Sequence, residues 1–271
     1  MYQKLAKGIC KRHLSQRSGF ESDVNIQSLK KLFEKFNKPN HCDHLLVKNP
    51  SLSKLKRCSI LVPITLEYEA NDKGVSIQKS YFTLTQRPDT IKTFKGQVCF
   101  VGGKRDAHDT NDVSTALREA KEEINIDSKN LTILAELCPI MTTNGDLVTP
   151  IVAHFDETNH KLVINQNEVN HVFKLPTERF MLKENHSIKT FKTGKTQYHV
   201  HHFEDFVNGK LFKTWGFTAV ACVLVSSMLH SRLPDFSFDP EIPLTNANKA
   251  DYLDLYLDKS TKHLKRSTMF N

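Results

Sequence analysis

The sequence contains no long hydrophobic run. Its longest apolar stretch, residues 217–225, falls well short of the ~18 residues a membrane-spanning helix needs and reads as part of a buried helix. No apolar segment of the secretory-signal type follows the basic start. Cysteine is sparse and scattered, with six residues at 10, 42, 58, 99, 138 and 222, none in a C-x-x-C pair. This argues against a zinc ribbon and a disulfide framework, and for a reducing compartment. Acid is absent from the first twenty residues, which carry Lys4, Lys7, Lys11, Arg12 and Arg17 beside Leu5, Ile9 and Leu14. Such a composition suits either a mitochondrial transit peptide or a frayed basic terminus.

What is present is ordinary for a soluble globular protein: 39% hydrophobic and 25% charged residues over 271 positions. The net charge of +8 is unevenly placed. Residues 1–60 hold 13 Lys+Arg against 4 Asp+Glu, and residues 61–271 hold the remaining 25 against 26. The body of the chain is therefore close to neutral, and the basic balance is no argument for nucleic-acid binding. No nucleic-acid-binding motif accompanies the basic segment.

Hydrophobic periodicity predicts a helix over 23–36, from Ile26, Leu29, Leu32, Phe33 and Phe36, ended by Lys38-Pro39-Asn40. Strands are predicted over 59–68, with Pro63 implying an edge or a bulge, and over 75–86, 97–101, 131–140, 147–155, 169–175 and 196–203. Helices are predicted over 112–124, 176–181, 216–229 and, more weakly, 248–265. The order lacks a strict βαβ rhythm. An α+β fold with a mixed sheet between helices follows. The chain divides into a basic segment 1–22, one domain over 23–240 and a partly helical tail over 241–271.

The chemistry concentrates between Gly102 and Ile126. In the helix, Val113, Ala116, Leu117, Ala120 and Ile124 form one apolar face, and Glu119, Glu122 and Glu123 converge on another. Close carboxylates repel, and Mg2+ or Mn2+ would relieve that repulsion, because hard cations prefer oxygen ligands. A solvated acidic face is the other reading of E-A-K-E-E. The context favours the metal: Gly102-Gly103 follows a strand, permits close backbone approach and opens the loop before the helix. Arg118 is placed to hold the rotamer of a neighbouring carboxylate. Lys104 and Arg105 are candidates for anion contacts, and exposed loop charges are the alternative. Glu168 is a candidate base or extra ligand, or a polar strand flank. His199, His201 and His202 lack partners at zinc-ligand spacing. Trp215 and residues 217–225 read as core.

This segment resembles the Nudix box, G-x5-E-x7-R-E-U-x-E-E-x-G-U, where U is a bulky aliphatic residue. Gly103, Arg118, Glu119, Glu122, Glu123 and Ile126 match it. Asp109 stands for the first Glu, eight residues rather than seven before Arg118. Ala120 stands at an aliphatic position, and Asn125 replaces the second glycine, a swap suited to a left-handed conformation. Leu84-Thr85-Gln86-Arg87, residues 96–106, Thr149-Pro150, Glu168-Val169, Val172-Phe173 and Trp215 to Ala219 are similar to the coenzyme A diphosphatase branch of the family, with Val101 at its usual proline. Within the branch the likeness is greatest to the peroxisomal animal members.

The resemblance implies a Nudix-type fold over roughly 25–240. It implies catalytic Arg118, Glu119 and Glu122, metal ligands Glu119, Glu122 and Glu123, and substrate contacts at Gly102, Gly103, Lys104 and Arg105. The implied reaction cleaves coenzyme A or acyl-CoA to 3′,5′-ADP and (acyl-)phosphopantetheine. Another nucleoside diphosphate compound as substrate, or a weakly active ligand-binding module, are the alternatives. The resemblance suggests the peroxisome, although Thr268-Met269-Phe270-Asn271 is not an S-K-L-type address, and the basic N-terminus suggests the mitochondrion. Small-molecule substrates are expected, with no nucleic acid and no membrane span. The sequence is silent on oligomeric state.

Overall fold

The computed structural model describes residues 24–37 and 52–259, apart from 53, 72, 92, 143, 194, 249, 250, 253 and 257. The expectations for 1–22, for Lys38-Pro39-Asn40 and for residues beyond 259 lie outside this set. Helix α1 spans Ile26–Glu34, with the Asn25 side chain accepting the Ser28 N–H at its start. Strands β1 (Arg57–Ala70), β2 (Ser76–Gln86), β3 (Val98–Cys99) and β4 (Gly102–Lys104) follow, then helix α2 (Asp112–Ile124). Next come β5 (Leu131–Glu136), β6 (Ile140–Met141), β7 (Leu147–Phe155) and β8 (His171–Pro176). A short 3-10 helix, Thr177–Met181, leads to β9 (His186–Thr193), β10 (Thr196–Val207), β11 (Lys210–Trp215) and helix α3 (Gly216–Leu229).

The main sheet has the order β3-β2-β1-β7-β5, with β4 on β1, β6 on β7 and β8 on β2. β1 and β7 run parallel at its centre; the other pairs are antiparallel. Successive side chains on these strands alternate between two cores. Leu61, Ile151, Ala153 and Phe155 pack with Ala116, Ala120 and Ile124 of α2. Val62, Ile64 and Val152 point the other way, into a core shared with Leu29 and Phe33 of α1 and most of α3. The sheet is thus covered on both faces, as expected for an α+β sandwich.

A fork in the sheet positions the functional loop. β1 pairs with β2 only from Ile64↔Phe82 onward, and its earlier residues Cys58, Ser59 and Ile60 pair with β4. β2 beyond that point pairs with β3, at Thr85↔Cys99 and Gln86↔Val98. The chain from Val98 to Lys104 therefore fills the opening between two diverging strands, with Phe100 and Val101 buried in it. Pro63 corrects its sequence reading. It lies inside a central strand, but on the side where β1 changes partner from β4 to β2, so its missing N–H removes no ladder bond.

The second sheet, β11-β10-β9, rests on α3. Arg179 secures it: its Nε donates to Asp205 Oδ1 at 2.5 Å, and both side chains are buried. Two of its strands, β9 and β11, were not expected from sequence. Among the described residues, Cys58, Cys99 and Cys222 are free thiols, with Cys222 buried. No helix among the described residues is long and apolar enough to cross a membrane.

Candidate metal centre and active site

Helix α2 is held at both ends by its own sequence. Asn111 and Ser114 form a reciprocal cap: Asn111 Oδ1 accepts the Ser114 N–H at 2.8 Å and Ser114 Oγ accepts the Asn111 N–H at 3.0 Å. Asp112, 3% exposed, ties the first turn to the sheet. It accepts from Arg57 Nη2 and Thr149 Oγ1, each at 2.8 Å, with Arg105 Nη1 at 3.5 Å. At the other end Asn125 adopts φ 60° and donates its N–H to the Ala120 and Lys121 carbonyls. It takes the left-handed position that the box usually gives to glycine.

These anchors fix the carboxylate face. Glu119 and Glu123, one turn apart, meet Glu168 from the loop before β8, and one carboxylate oxygen of each lies within 4.8 Å of the others. That loop hangs from the end of α2 by main-chain bonds. Val163 N–H donates to the Ile124 carbonyl (3.2 Å) and Asn165 N–H to the Glu123 carbonyl (2.8 Å). Asn165 Nδ2 then donates to Glu168 Oε1 at 3.1 Å.

Glu123 is 2% exposed. Burial pushes its carboxyl up to about 8; the Gly102 N–H and Arg87 partly oppose this, and Glu119 and Glu168 add to it. The same burial raises Glu119, against the pull of Arg118. Buried carboxylates with raised proton affinity that face one another form a site short of positive charge. An oxygen-only donor set of this kind fits a hard divalent cation.

The expected ligand set of Glu119, Glu122 and Glu123 is only partly brought together. Glu122 is 51% exposed and turned along the helix, where Arg118 Nη1 donates to its Oε2 at 3.1 Å. Glu168 occupies the third place. Arg118 does more than the sequence implied. Its Nη1 also reaches Glu119 Oε1 at 2.9 Å, its Nη2 donates to the Lys104 carbonyl at 2.9 Å, and its Nε and Nη2 clasp Asp109.

The two glycines serve the carboxylates. A Cβ on Gly103 would overlap the Glu119 carboxylate, and one on Gly102, at φ +155°, would overlap the Ser59 carbonyl. Gly102 N–H also faces Glu123 Oε1 at 3.5 Å. Lys104 is exposed. Arg105 is folded back onto its own loop, donating to the Thr110 carbonyl at 2.7 Å and facing Asp112, so its guanidinium is engaged within the protein. The buried anchor Asp112, with Arg57 and Thr149, went unread in the sequence; an acid directly after an N-cap was its one signal.

The histidines form a separate cluster. His201 is buried, with Nε2 against the Phe238 carbonyl (2.8 Å) and Nδ1 against His186 Nε2 (3.0 Å). Burial pushes both His186 and His201 down to about 4. Trp215 departs from its expected core position: it is 41% exposed and stacks on His202. Val220 to Val225 of α3 are core, as expected.

Comparison with known proteins places this geometry in a family. The NUDIX domain pattern matches residues 72–193, which include the glycines, α2 and Glu168. The peroxisomal coenzyme A diphosphatase NUDT7 of Mus musculus is 35% identical over 163 residues, 59% of this chain and 69% of that protein. Nudix hydrolase 15, mitochondrial, of Arabidopsis thaliana is 29% identical over 192 residues, 70% of this chain and 65% of its own length. The uncharacterized Nudix hydrolase NudL of Photorhabdus laumondii is 35% identical over 142 residues, 52% of this chain and 73% of its own. The chain belongs to the Nudix family. Its class is that of hydrolases acting on diphosphate bonds of small molecules.

Proposed function

We propose that Glu119, Glu123 and Glu168 hold a divalent cation, Mg2+ or Mn2+, and that the protein cleaves the diphosphate of coenzyme A or its acyl derivatives. The convergence of three carboxylates from two elements carries the first part. The second part rests on likeness to the mouse coenzyme A diphosphatase and on Leu84-Thr85-Gln86-Arg87 with residues 96–106.

A cation bound there would neutralise diphosphate oxygens and lower the pKa of a water. The chain supplies position and charge. Arg118 fixes Glu119, Gly103 admits its carboxylate, and the Gly102 N–H steadies Glu123. Glu168, from a separate loop, either completes the ligand set or accepts the proton of the attacking water. Arg87 lies close enough to lower the proton affinity of Glu123, which sets one cation beside the carboxylate group. Attack of water on phosphorus with departure of the bridging oxygen yields 3′,5′-ADP and (acyl-)phosphopantetheine.

A panel of coenzyme A, acyl-CoA esters, nucleoside diphosphate sugars and dinucleotide polyphosphates, with products resolved by chromatography, tests the substrate. The reading requires 3′,5′-ADP from coenzyme A or its esters. Preferential cleavage of another diphosphate would move the assignment to that substrate. Binding without turnover in either metal would make the protein a ligand-binding module. The mouse relative is peroxisomal and the Arabidopsis thaliana relative mitochondrial, and either compartment suits this chain. Fusing residues 1–25 to a reporter distinguishes these.

A further inference from the structure

In an antiparallel sheet with one face on the core, the other face is ordinarily polar. The sheet β9-β10-β11 breaks that rule. Its inner side chains follow the expected alternation: His201, Phe203 and Asp205 of β10 with Phe212 and Thr214 of β11 are all buried. The register then assigns the opposite face. His202 pairs with Trp215, Glu204 with Lys213 and Phe206 with Leu211; on the other side Tyr198 pairs with Phe191 and Val200 with Lys189. Directly paired residues share a face. The outer face therefore carries Phe191, Tyr198, Val200, Phe206, Leu211 and Trp215. Phe206 is 75% exposed, Phe191 45% and Trp215 41%.

Charge on this face is of one prevailing sign. Lys189 and Lys213 stand on it, and exposed Lys192 and Lys195 stand at its edge. Its one acid, Glu204, is neutralised by Lys213 at 2.8 Å. Two pairs of rings already spend a face within the protein: Phe191 stacks on Tyr198 and His202 on Trp215, with centroids 5.7 and 5.9 Å apart. Those stacks, and the aliphatic Val200 and Leu211, disfavour a platform for nucleic-acid bases, which needs free ring faces. Aromatic and aliphatic side chains ringed by lysine are instead the composition that settles at a membrane–water interface, particularly one of anionic lipid.

We propose that this sheet face docks the protein peripherally on an anionic lipid surface, with Phe206, Phe191 and Trp215 entering the interface and the lysines meeting the headgroups. The surface is independent of the carboxylate group. None of its residues is placed in the catalytic machinery.

Trp215 is the chain's single tryptophan and reports on the contact directly. The full chain is mixed with vesicles of phosphatidylcholine alone and of phosphatidylcholine with phosphatidylserine. Sedimentation and Trp215 emission are then measured. The proposal requires binding to the anionic vesicles that weakens with salt, together with a blue shift of Trp215 and its protection from an aqueous quencher. Phe206→Ser should weaken partitioning by about tenfold, from the apolar surface withheld. Lys189→Glu should weaken it at least severalfold, and both variants should keep the diphosphatase turnover of the parent. Absence of binding, unchanged Trp215 emission, equal partitioning of the variants, or preferential binding to single-stranded RNA would each overturn the proposal.

Discussion

Arg118 and Asp109 face each other through two hydrogen bonds, Nε to Oδ1 at 3.1 Å and Nη2 to Oδ2 at 3.0 Å. The Asp109 side chain is 4% exposed, and it also accepts the Asp106 N–H at 2.8 Å. These bonds hold its carboxyl well below the usual range. Asp109 differs from the box's usual glutamate in being one methylene shorter and one residue further from Arg118. The two-pronged contact explains how both departures coexist with an ordered Arg118: the altered loop brings the shorter side chain onto the guanidinium.

Asp109→Asn should therefore loosen Arg118 and, through it, Glu119. Loss of such an orienting partner typically lowers metal affinity or turnover by about 10- to 100-fold. Metal titration and steady-state kinetics check this. Asp109→Glu should recover part of the loss, which a purely structural role would not require.

The adjacent glycines should fail in different ways. Gly103→Ala sets a methyl group against the flexible Glu119 carboxylate, so the fold should persist while metal affinity falls. Gly102→Ala sets it against the Ser59 main chain at a φ that alanine rarely adopts, so thermal stability should fall first. Circular dichroism melts beside metal titrations separate the two. Equal metal affinity in Gly103→Ala and wild type would contradict the role given to that close approach.

Stability of the metal-free protein should fall as pH rises from about 7 to 8. The sign follows from the direction of each shift. Glu123 keeps its proton in the folded state up to about 8 but loses it near the ordinary carboxylate value when unfolded, so deprotonation in this window opposes folding. Buried His186, His201 and His230, pushed down to about 4, act in the opposite sense, but their contribution is largely complete by pH 7. Melting temperatures in chelator should show the decline in wild type and not in Glu123→Gln. Divalent metal should raise the melting temperature more at pH 8 than at pH 7.

Asn125→Val should cost about 1–2 kcal/mol, since a branched residue resists the left-handed conformation, while Asn125→Gly should be close to neutral. Thermal melts of the two variants check the difference.

The legible parts of this molecule are those where local signals agree. Helix α2 follows its sequence reading at both ends because a cap, an apolar stripe and a left-handed Asn125 all point the same way. Strand β7 and helix α3 also keep their expected bounds. Strand β9, H-S-I-K-T-F-K-T, carries no clean alternation: its outer face mixes Ser187, Lys189 and Phe191, and His186 on the inner face rests on Phe203 and Phe236 further along the chain. Trp215 reads as core from its residue type, but the alternation of β11 turns it outward, opposite buried Thr214. The choice between Glu122 and Glu123 could not be read from spacing, since i+3 and i+4 both neighbour Glu119. Arg118 draws Glu122 along the helix surface, and burial at the strand fork holds Glu123 in. Glu168 is a candidate in the sequence, but its place beside Glu119 and Glu123 depends on the main-chain bonds of its loop to the end of α2 and on Asn165, contacts no local pattern carries.

The central claim is that Glu119, Glu123 and Glu168 together hold a divalent cation. Calorimetric titration of Mn2+ into the purified protein and its Glu123→Gln, Glu168→Gln and Glu122→Gln variants tests it most directly. The account predicts a site whose affinity is lost in Glu123→Gln, reduced in Glu168→Gln and least affected in Glu122→Gln. Equal Mn2+ affinity in wild type and Glu123→Gln would contradict it.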